Sequence, residues 1–302
     1  MEQGLLKIGA MAGIFWMCMA TFFHSVMGAQ VRSLGGEIPV IELVFFRNLI
    51  GVLVLVPWLL KSGGDSRRLS QLPIYALRIC FAYTSMVLLF YALSELPLAN
   101  VYALQYTIPL FTILLAVFVL KQQSSIHSWV ACLVGFCGVL IVIRPGIVEM
   151  SVAAFAALGA ALLSGGSNTT LKLLSRTEGF GTVTFYSNLL MLPLALLPTL
   201  YFWVTPSWPQ IPWLIGIGLF GVAGGYCFIR AVGAVDARIV QPFQFTRMFF
   251  GTALGYFLFL ELPDFWTWVG AAVIFLATYY IIWHEAQVKK SNEVGSVAGG
   301  AV

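Results

Sequence analysis

Residues 90–145 read FYALSELPLANVYALQYTIPLFTILLAVFVLKQQSSIHSWVACLVGFCGVLIVIRP, and much of this stretch recurs without a gap 139 residues further along the chain. The recurrence pairs polar and aromatic residues as well as apolar ones: Gln105 with Gln244, Thr107 with Thr246, Phe111 with Phe250 and Trp129 with Trp268. Apolar runs often match by chance, so the Gln, Thr and Trp pairs carry the argument. An internal repeat of this length indicates two related structural units.

The composition is that of a membrane protein. Of 302 residues, 60% are apolar and only 9% are charged, and the mean hydropathy is +0.93, whereas a soluble domain carries roughly a quarter charged residues. The first apolar run, residues 5–27, is too long for the apolar region of a signal peptide, so we predict a retained helix. The five cysteines lie in apolar runs without CxxC spacing, which favours buried apolar side chains.

Apolar runs long enough to cross a bilayer, at about 20 residues each, predict an all-α membrane protein with ten transmembrane helices. They fall near residues 5–27, 38–60, 72–93, 98–120, 126–143, 152–173, 181–203, 210–231, 238–260 and 265–284. We divide the chain into a first five-helix repeat (1–147), a second five-helix repeat (148–286) and a disordered tail (287–302), because the tail is rich in Ser, Gly and Ala.

The loop charges predict the orientation, because Lys and Arg collect on the cytoplasmic side. The side that holds both termini has eleven such residues: Lys7, Lys61, Arg67, Arg68, Lys121, Lys172, Arg176, Arg230, Arg238, Lys289 and Lys290. The opposite side has only Arg32 and Arg144. We therefore expect both termini in the cytoplasm of a bacterial-type inner (plasma) membrane.

Each repeat contains five helices, and an odd number forces the second repeat to enter the membrane upside down. Parity thus predicts two inverted repeats. In membrane chains this arrangement is typical of transporters, in which two related halves rock about a site near the midplane and give alternating access.

Short motifs occur along both halves: Glu42 with Phe45-Phe46-Arg47, Leu77-Arg78, Tyr91-Ala92-Leu93, Pro97-Leu98-Ala99, Pro109, Gly135 and Gly138 before Arg144-Pro145, then Arg230-Ala231-Val232, Val235-Asp236-Ala237 and Leu260-Glu261. Over essentially the whole chain they resemble the EamA-type drug/metabolite transporters. Within that group the pattern looks most like the branch containing S-adenosylmethionine carriers and exporters of amino-acid-like compounds. In one departure, Lys121-Gln122 replaces the acidic residue that such proteins usually carry after the fourth helix, while Glu261 keeps it in the second half.

Two arginines lie deep in predicted helices, and ionisable side chains at membrane depth are functional candidates. Arg47 and Arg247 each stand nine residues into a helix, about 13–14 Å at 1.5 Å per residue. Glu42 is the single acid nearby, so positive charge is left for a substrate carboxylate, which Arg binds in a bidentate fork. The alternative is that Arg47 bonds to Glu42 or to helix-end carbonyls and holds the fold.

Amide side chains form a second group of candidates. Gln105 and Gln244 are equivalent in the repeat, so both are predicted to face a central cavity and bind one ligand, or else to bond between helices. Residues 164–168, SGGSN, interrupt the sixth helix near its centre. Either the glycines break the helix and bring Asn168 to the cavity, or they allow close packing.

Histidine and aromatic candidates complete the predicted substrate site. His24 lies with Thr21 and Ser25 on one face of the first helix, as a proton carrier or as a hydrogen-bonded structural histidine. Aromatic walls for a planar or cationic substrate are assigned to further residues, against the alternative that they only pack: Trp16, Tyr83, Tyr106, Tyr186 and Tyr226.

The sequence contains no HExxH, Walker or GxSxG motif and no paired aspartates for Mg²⁺ and diphosphate, so we predict no enzyme, no metal and no cofactor. Basic residues spread along one membrane face explain the net charge of +4 without nucleic acid. The predicted partners are membrane lipid and a small substrate with a carboxylate; the oligomeric state is left open. The predicted function is secondary transport of a small amino-acid-like metabolite: import of a nucleoside-linked amino acid such as S-adenosylmethionine competes with export of amino acids or metallophore-like compounds. A membrane scaffold or sensor is the alternative outside transport.

Overall fold

A computed structural model describes residues 2–61, 72–118, 126–144, 151–174, 180–234 and 240–299. Lys121-Gln122, Val235-Asp236-Ala237 and the loop arginines Arg67, Arg68, Arg176 and Arg238 lie outside these ranges. The described residues form α-helices and one 3-10 helix (η1): α1 Glu2–Leu34, α2 Val40–Lys61, α3 Leu72–Glu95, α4 Leu98–Gln105, α5 Ile108–Phe118, α6 Ile126–Ile143, α7 Val152–Leu174, α8 Phe180–Tyr201, α9 Ile211–Ala234, η1 Gln241–Phe245, α10 Thr246–Phe259 and α11 Phe265–Gly299.

These elements make ten transmembrane spans, because α4 with α5 forms the fourth span and η1 with α10 forms the ninth. Six helical segments are long and apolar enough to cross a membrane by length and composition alone, and shorter apolar helices accompany them. Helices satisfy every backbone polar group internally, as the bilayer requires. The predicted all-α, ten-helix architecture of two inverted repeats is confirmed.

The packing of the helices follows the repeat. The first span of each half packs against the third span of the other half, so α1 contacts α9 and α7 contacts α3. The fifth spans, α6 and α11, pack against each other, and so do the second spans, α2 and α8. This exchange of partners is what an approximate two-fold axis in the membrane plane produces, and it places the fourth and ninth spans on either side of the centre.

Both central spans are interrupted at equivalent positions. Between α4 and α5, Thr107 Oγ1 donates to the carbonyl oxygen of Leu104 at 2.6 Å, and at the start of α10 Thr246 Oγ1 donates to the carbonyl oxygen of Phe243, also at 2.6 Å. Pro109 has no N–H to bond the carbonyl of Gln105 four residues earlier, so a continuous α-helix would lose this bond. Pro242 is at the start of η1, where its missing N–H costs no helical bond.

The sixth span is not interrupted, so the suggested break at residues 164–168 is wrong. Helix α7 is continuous from Val152 to Leu174. A Cβ atom at Gly165 would lie 3.0 Å from the backbone nitrogen of Thr112, and one at Gly166 would lie 3.0 Å from the Phe81 ring. The glycines therefore serve close helix packing, which was the other interpretation.

The last helix also differs from expectation. Helix α11 continues to Gly299, so the structure is helical over residues 287–299, where the composition predicts a disordered tail.

Two ion pairs connect the ends of spans on the side opposite the termini. Arg32 Nη2 lies 2.6 Å from Glu261 Oε1, and Arg32 Nη1 donates to the carbonyl oxygen of Ser94 at 2.6 Å. Arg144 pairs with Asp264. The Arg32 and Glu261 side chains are only 19% and 20% exposed, so the first pair is largely shielded from solvent. It joins the ends of α1, α3 and α10.

Candidate functional site

A cavity of about 390 Å³ lies between the two repeats, next to both helix interruptions. Both halves contribute to its wall, and the described residues that line it include Gln105, Tyr106, Ile108, Pro109, Thr112, Ile113, Asn168, Phe228, Pro242, Gln244, Phe245, Phe275, Thr278 and Tyr279. They come from the centre of their spans or from the part nearer the termini. The cavity thus occupies the half of the bundle opposite the Arg32–Glu261 ion pair.

Four aromatic rings form a continuous wall from the first repeat to the second. The ring centroids of Tyr106 and Phe245 are 5.0 Å apart, those of Phe245 and Phe275 are 4.7 Å apart, and those of Phe275 and Tyr279 are 6.2 Å apart. The Tyr106–Phe245 and Phe275–Tyr279 pairs are stacked at interplanar angles of 26° and 20°. Such a wall offers ring faces to a flat ligand.

Three amide side chains line the same cavity. Gln105 and Gln244, the equivalent pair of the repeat, both reach it, and Asn168 exposes its side chain there. The amide nitrogen of Gln105 also donates to the carbonyl oxygen of Ala157 on α7 at 2.8 Å, which fixes the orientation of the side chain. Among the described lining residues there is no Asp, Glu, Lys, Arg or His.

The hydroxyl of Tyr106 connects the two interruptions. It donates to the carbonyl oxygen of Phe245 at 3.0 Å and accepts a bond from the backbone N–H of Met248 at 3.2 Å. Phe245 is the residue equivalent to Tyr106 in the second repeat. The helix interruption of one half is therefore bonded directly to the helix interruption of the other. We call these two interruptions the hinges.

Arg247 lies beside this hinge and not in the cavity wall. Its guanidinium carbon is 4.4 Å from the centroid of the Tyr102 ring, and its Nε is buried without a hydrogen-bond partner. Tyr102 is fully buried between Gly28 of α1 and Gly251 of α10, where a methyl group at either glycine would overlap the tyrosine. A cation over an aromatic face is stabilised by the ring quadrupole, so Tyr102 positions Arg247.

Arg47 is held by amides and not by an acid. Its Nη1 donates to Asn48 Oδ1 and to Asn188 Oδ1, each at 3.0 Å. Glu42 instead accepts from the backbone N–H of Val204 at 3.1 Å, and its Oε1 is buried without a partner. The suggested Arg47–Glu42 pair is therefore not formed, because Glu42 turns toward the connection between α8 and α9.

His24 packs against Gly224 of α9. Its Nδ1 donates to the carbonyl oxygen of Ala20 at 2.8 Å, and a Cβ atom at Gly224 would lie 2.8 Å from the ring. A Cβ atom at Gly221, three residues before Gly224, would lie 3.2 Å from Arg47 Nε. Ser25, which follows His24, donates to the carbonyl oxygen of Arg247 at 3.2 Å. These contacts place the three residues in one region of the bundle. In the part of the chain that the structure describes, neither arginine forms an ion pair. We call His24, Arg47 and Arg247 the basic cluster.

The structure places the other predicted aromatic residues away from the described cavity wall. Trp16 packs against Tyr226, with 6.1 Å between ring centroids, and lies 5.6 Å from the guanidinium of Arg230. Tyr83 and Tyr186 pack beside a separate apolar cluster formed by α3, α7 and α8. Of the ten predicted site residues, the described wall includes Gln105, Tyr106, Asn168 and Gln244.

Sequence reasoning missed several residues next to these sites. Phe245, Phe275 and Tyr279 supply most of the aromatic wall, although no pattern distinguishes them from the many other aromatic residues of the chain. Arg78 could have been identified from the sequence, because it is a charged residue within the third span. Its guanidinium bonds Ser187 Oγ at 3.0 Å and the carbonyl oxygen of Ser167 at 2.8 Å, and so joins α3, α7 and α8.

Comparison with known proteins agrees with this architecture. Residues 11–144 and 151–283 match the EamA-like transporter family, one copy for each half. The chain belongs to the EamA-like transporter family. Its membership, the transporters among its relatives and its apolar helices make it a multi-pass bacterial membrane protein that moves small metabolites, and not an enzyme.

Three relatives of this EamA-like chain illustrate the range of the family. An S-adenosylmethionine uptake transporter of Rickettsia prowazekii is 26% identical over 93% of this chain and 95% of its own length. A riboflavin transporter of Vibrio cholerae is 28% identical over 97% and 99%. The pseudopaline exporter CntI of Pseudomonas aeruginosa is 28% identical over 92% and 96%. A crystal structure at 18% identity has a TM-score of 0.59 over 95% of this chain and 99% of its own, which shows the shared fold.

Proposed function

We propose that this EamA-like protein is a secondary transporter that carries a small amino-acid-like metabolite across the inner membrane by alternating access, with both termini in the cytoplasm. The observation that carries the proposal is the position of Gln105 and Gln244. They are equivalent in two inverted repeats, they flank the two helix interruptions, and they line one cavity. A site shared by inverted halves is presented to either side when the halves exchange conformations.

The distribution of open and closed regions supports this mechanism. The cavity lies in the half of the bundle nearer the termini, and the Arg32–Glu261 pair joins three spans at the other end. With cytoplasmic termini this is an inward-facing arrangement. Exchange of the two halves would break the ion pair and open the opposite end.

The basic cluster supports an acidic group on the substrate. Arg47 and Arg247 lie in the same region as His24, and neither forms an ion pair within the described residues. Uncompensated positive charge at membrane depth is costly, and a carboxylate would neutralise it. Tyr102, whose ring lies against the Arg247 guanidinium, is four residues before the lining residue Tyr106, so Arg247 contacts the fourth span about one helical turn, or 5.4 Å, from the cavity wall.

Two relatives, named for S-adenosylmethionine uptake and for pseudopaline export, indicate two classes of candidate substrate. Uptake of a nucleoside-linked amino acid and export of an amino acid or metallophore-like compound both require a transporter that accepts a solute with a carboxylate. Because one relative imports and another exports, the direction has to be measured on this protein. A membrane scaffold or sensor would carry neither solute.

Liposome flux tests the proposal. Purified protein is reconstituted, and uptake and efflux of radiolabelled S-adenosylmethionine, riboflavin and a set of amino acids are followed with and without solute on the opposite side. We expect saturable flux of a carboxylate-bearing solute above that of protein-free liposomes. Folded, reconstituted protein that carries no member of the panel in either direction would favour the scaffold or sensor alternative.

A further inference from the structure

We propose that the cavity between the repeats binds a planar, uncharged heteroaromatic ring of the solute, with the ring face on the aromatic wall and the ring edge on the three amides. This inference rests on the proposed function only in taking the cavity as the transport site, and it names the chemical class that the site selects.

The aromatic wall supplies the first argument. Tyr106, Phe245, Phe275 and Tyr279 follow one another at centroid distances of 4.7–6.2 Å and cross the boundary between the repeats. An aliphatic or sugar-like solute needs no such series of faces. A flat ring gains from it by offset stacking, which is tolerant of the identity of the ring.

The amides supply the second argument. Each amide carries both donors and an acceptor, and Gln105, Asn168 and Gln244 come from three different spans. A ring edge with nitrogen and oxygen atoms alternates donors and acceptors in the same way. A purely hydrocarbon ring would offer no hydrogen bond to these amides.

The absence of charge in the described wall supplies the third argument. None of the described lining residues is Asp, Glu, Lys, Arg or His. An anionic group seated among these rings would lose hydration without gaining an ion pair from the described wall. The ring is therefore the neutral part of the solute, and any acidic group is expected toward the basic cluster.

The size of the cavity is compatible with this assignment. A volume of about 390 Å³ is within the lower range of small-ligand sites, roughly 300–1,000 Å³. It accommodates one fused ring system with a substituent.

Ring deletion tests the inference directly. Binding to purified protein is measured by thermal shift and by calorimetry for three pairs of compounds that differ by removal of the ring: adenosine and ribose, riboflavin and ribitol, L-tryptophan and L-alanine. We expect at least one ring compound to bind at least about tenfold more tightly than its ring-free counterpart. Equal binding of the counterparts, or no binding by any ring compound, would overturn the inference.

Variants locate the effect in the cavity. Asn168→Leu and Phe275→Leu are each expected to weaken binding of that ring compound by about tenfold, because one removes an edge contact and the other a ring face. Gln30→Leu changes a buried amide outside the described wall, and Phe257→Leu changes an aromatic residue that is 78% exposed. Both controls should bind normally. Asn168 is exposed, so its variant keeps the test informative even if Phe275→Leu does not fold.

The binding and flux measurements separate this inference from the proposed function. A ring compound that binds but never crosses liposomes refutes transport and leaves ring recognition in place. Ring-free solutes carried as well as ring-bearing ones refute ring recognition and leave transport in place.

Discussion

The ring of Tyr106 stacks on the ring of Phe245, and its hydroxyl donates to the carbonyl oxygen of Phe245 at 3.0 Å. The two residues are equivalent in the inverted repeats, so the contact lies where the approximate two-fold axis passes. Because each residue is at a helix interruption, the proposed alternating access would move the two interruptions together through this pair.

Removing the Tyr106 hydroxyl should uncouple the hinges. Tyr106→Phe keeps the stacked ring and loses two hydrogen bonds, each worth about 0.5–1.5 kcal/mol. The two bonds together are worth about 1–3 kcal/mol. We expect a folded protein whose flux falls by about 5–150-fold, since 1.4 kcal/mol corresponds to a factor of ten. Liposome flux and thermal unfolding are compared with Tyr256→Phe, a change at a residue that is 45% exposed. Unchanged flux in Tyr106→Phe would show that the hydroxyl bonds play no part in transport.

Neutralising Glu261 should favour opening at the end opposite the termini. In Glu261→Gln the pair with Arg32 is lost, although the Arg32 bond to the Ser94 carbonyl is retained. For a largely shielded pair worth about 1–2 kcal/mol, the population of the outward-open form rises about 5–30-fold. To measure this population, a single cysteine is introduced near Ser94 in a variant without the native cysteines. A larger outward-open population should give faster labelling of this cysteine by an impermeant thiol reagent.

The control for this variant is Glu37→Gln, since among the described contacts Glu37 accepts only an exposed bond from Gln210 on the same side. The double exchange Arg32→Glu with Glu261→Arg should restore slow labelling. If labelling is unchanged in Glu261→Gln, the ion pair does not hold this end closed.

Removing charge from the basic cluster should impair transport of acidic solutes specifically. Arg247→Gln and Arg47→Gln are each expected to lower kcat/KM for a carboxylate-bearing solute by at least about tenfold, the usual scale for a charged hydrogen bond. The matched control is Arg230→Gln, because Arg230 contacts only aromatic side chains, Trp16 and Tyr226, in the described contacts. Folded Arg47 and Arg247 variants that transport at the normal rate would refute anion recognition.

The repeat made the centre of the molecule predictable. A shift of 139 residues identified Gln105 and Gln244 as equivalent, and equivalent positions in inverted halves meet at the axis. Tyr106 was predicted only as one of five aromatic residues that could form the walls of a site. The hydrophobic pattern identified the ten spans, because membrane helices require long apolar runs.

Details that depend on side-chain direction were not predictable. Arg47 and Glu42 are five residues apart on one helix, yet the carboxylate turns to Val204 and the guanidinium to Asn188, on a connection and a helix that are far away in sequence. A break at residues 164–168, where glycines are concentrated, was one of the two interpretations of the sequence. It occurs instead beside Pro109 and Pro242, because glycines that pack against neighbouring helices leave the backbone bonds of α7 intact.

The packing of Tyr102 between two glycines provides a structural test of how Arg247 is positioned. A Cβ atom at Gly28 would meet the Tyr102 hydroxyl, whereas one at Gly251 would meet the side of the ring. Both Gly28→Ala and Gly251→Ala are expected to destabilise the protein by about 1–3 kcal/mol through overpacking, measured by thermal unfolding in detergent. Gly225→Ala is the matched control: nothing lies within 4 Å of its Cβ position, so its stability should be unchanged or slightly increased.

Combining these variants with Tyr102→Phe distinguishes the two contacts. Loss of the hydroxyl removes the atom that Gly28→Ala meets, with the next ring atom 3.2 Å from the Cβ position, so Tyr102→Phe should restore most of the stability lost in Gly28→Ala. Tyr102→Phe should restore none of the stability lost in Gly251→Ala, because the clashing ring carbons remain. Rescue of both glycine variants, or of neither, would mean that Tyr102 is not held between these helices, and Arg247 would then lack the aromatic support that places it in the basic cluster.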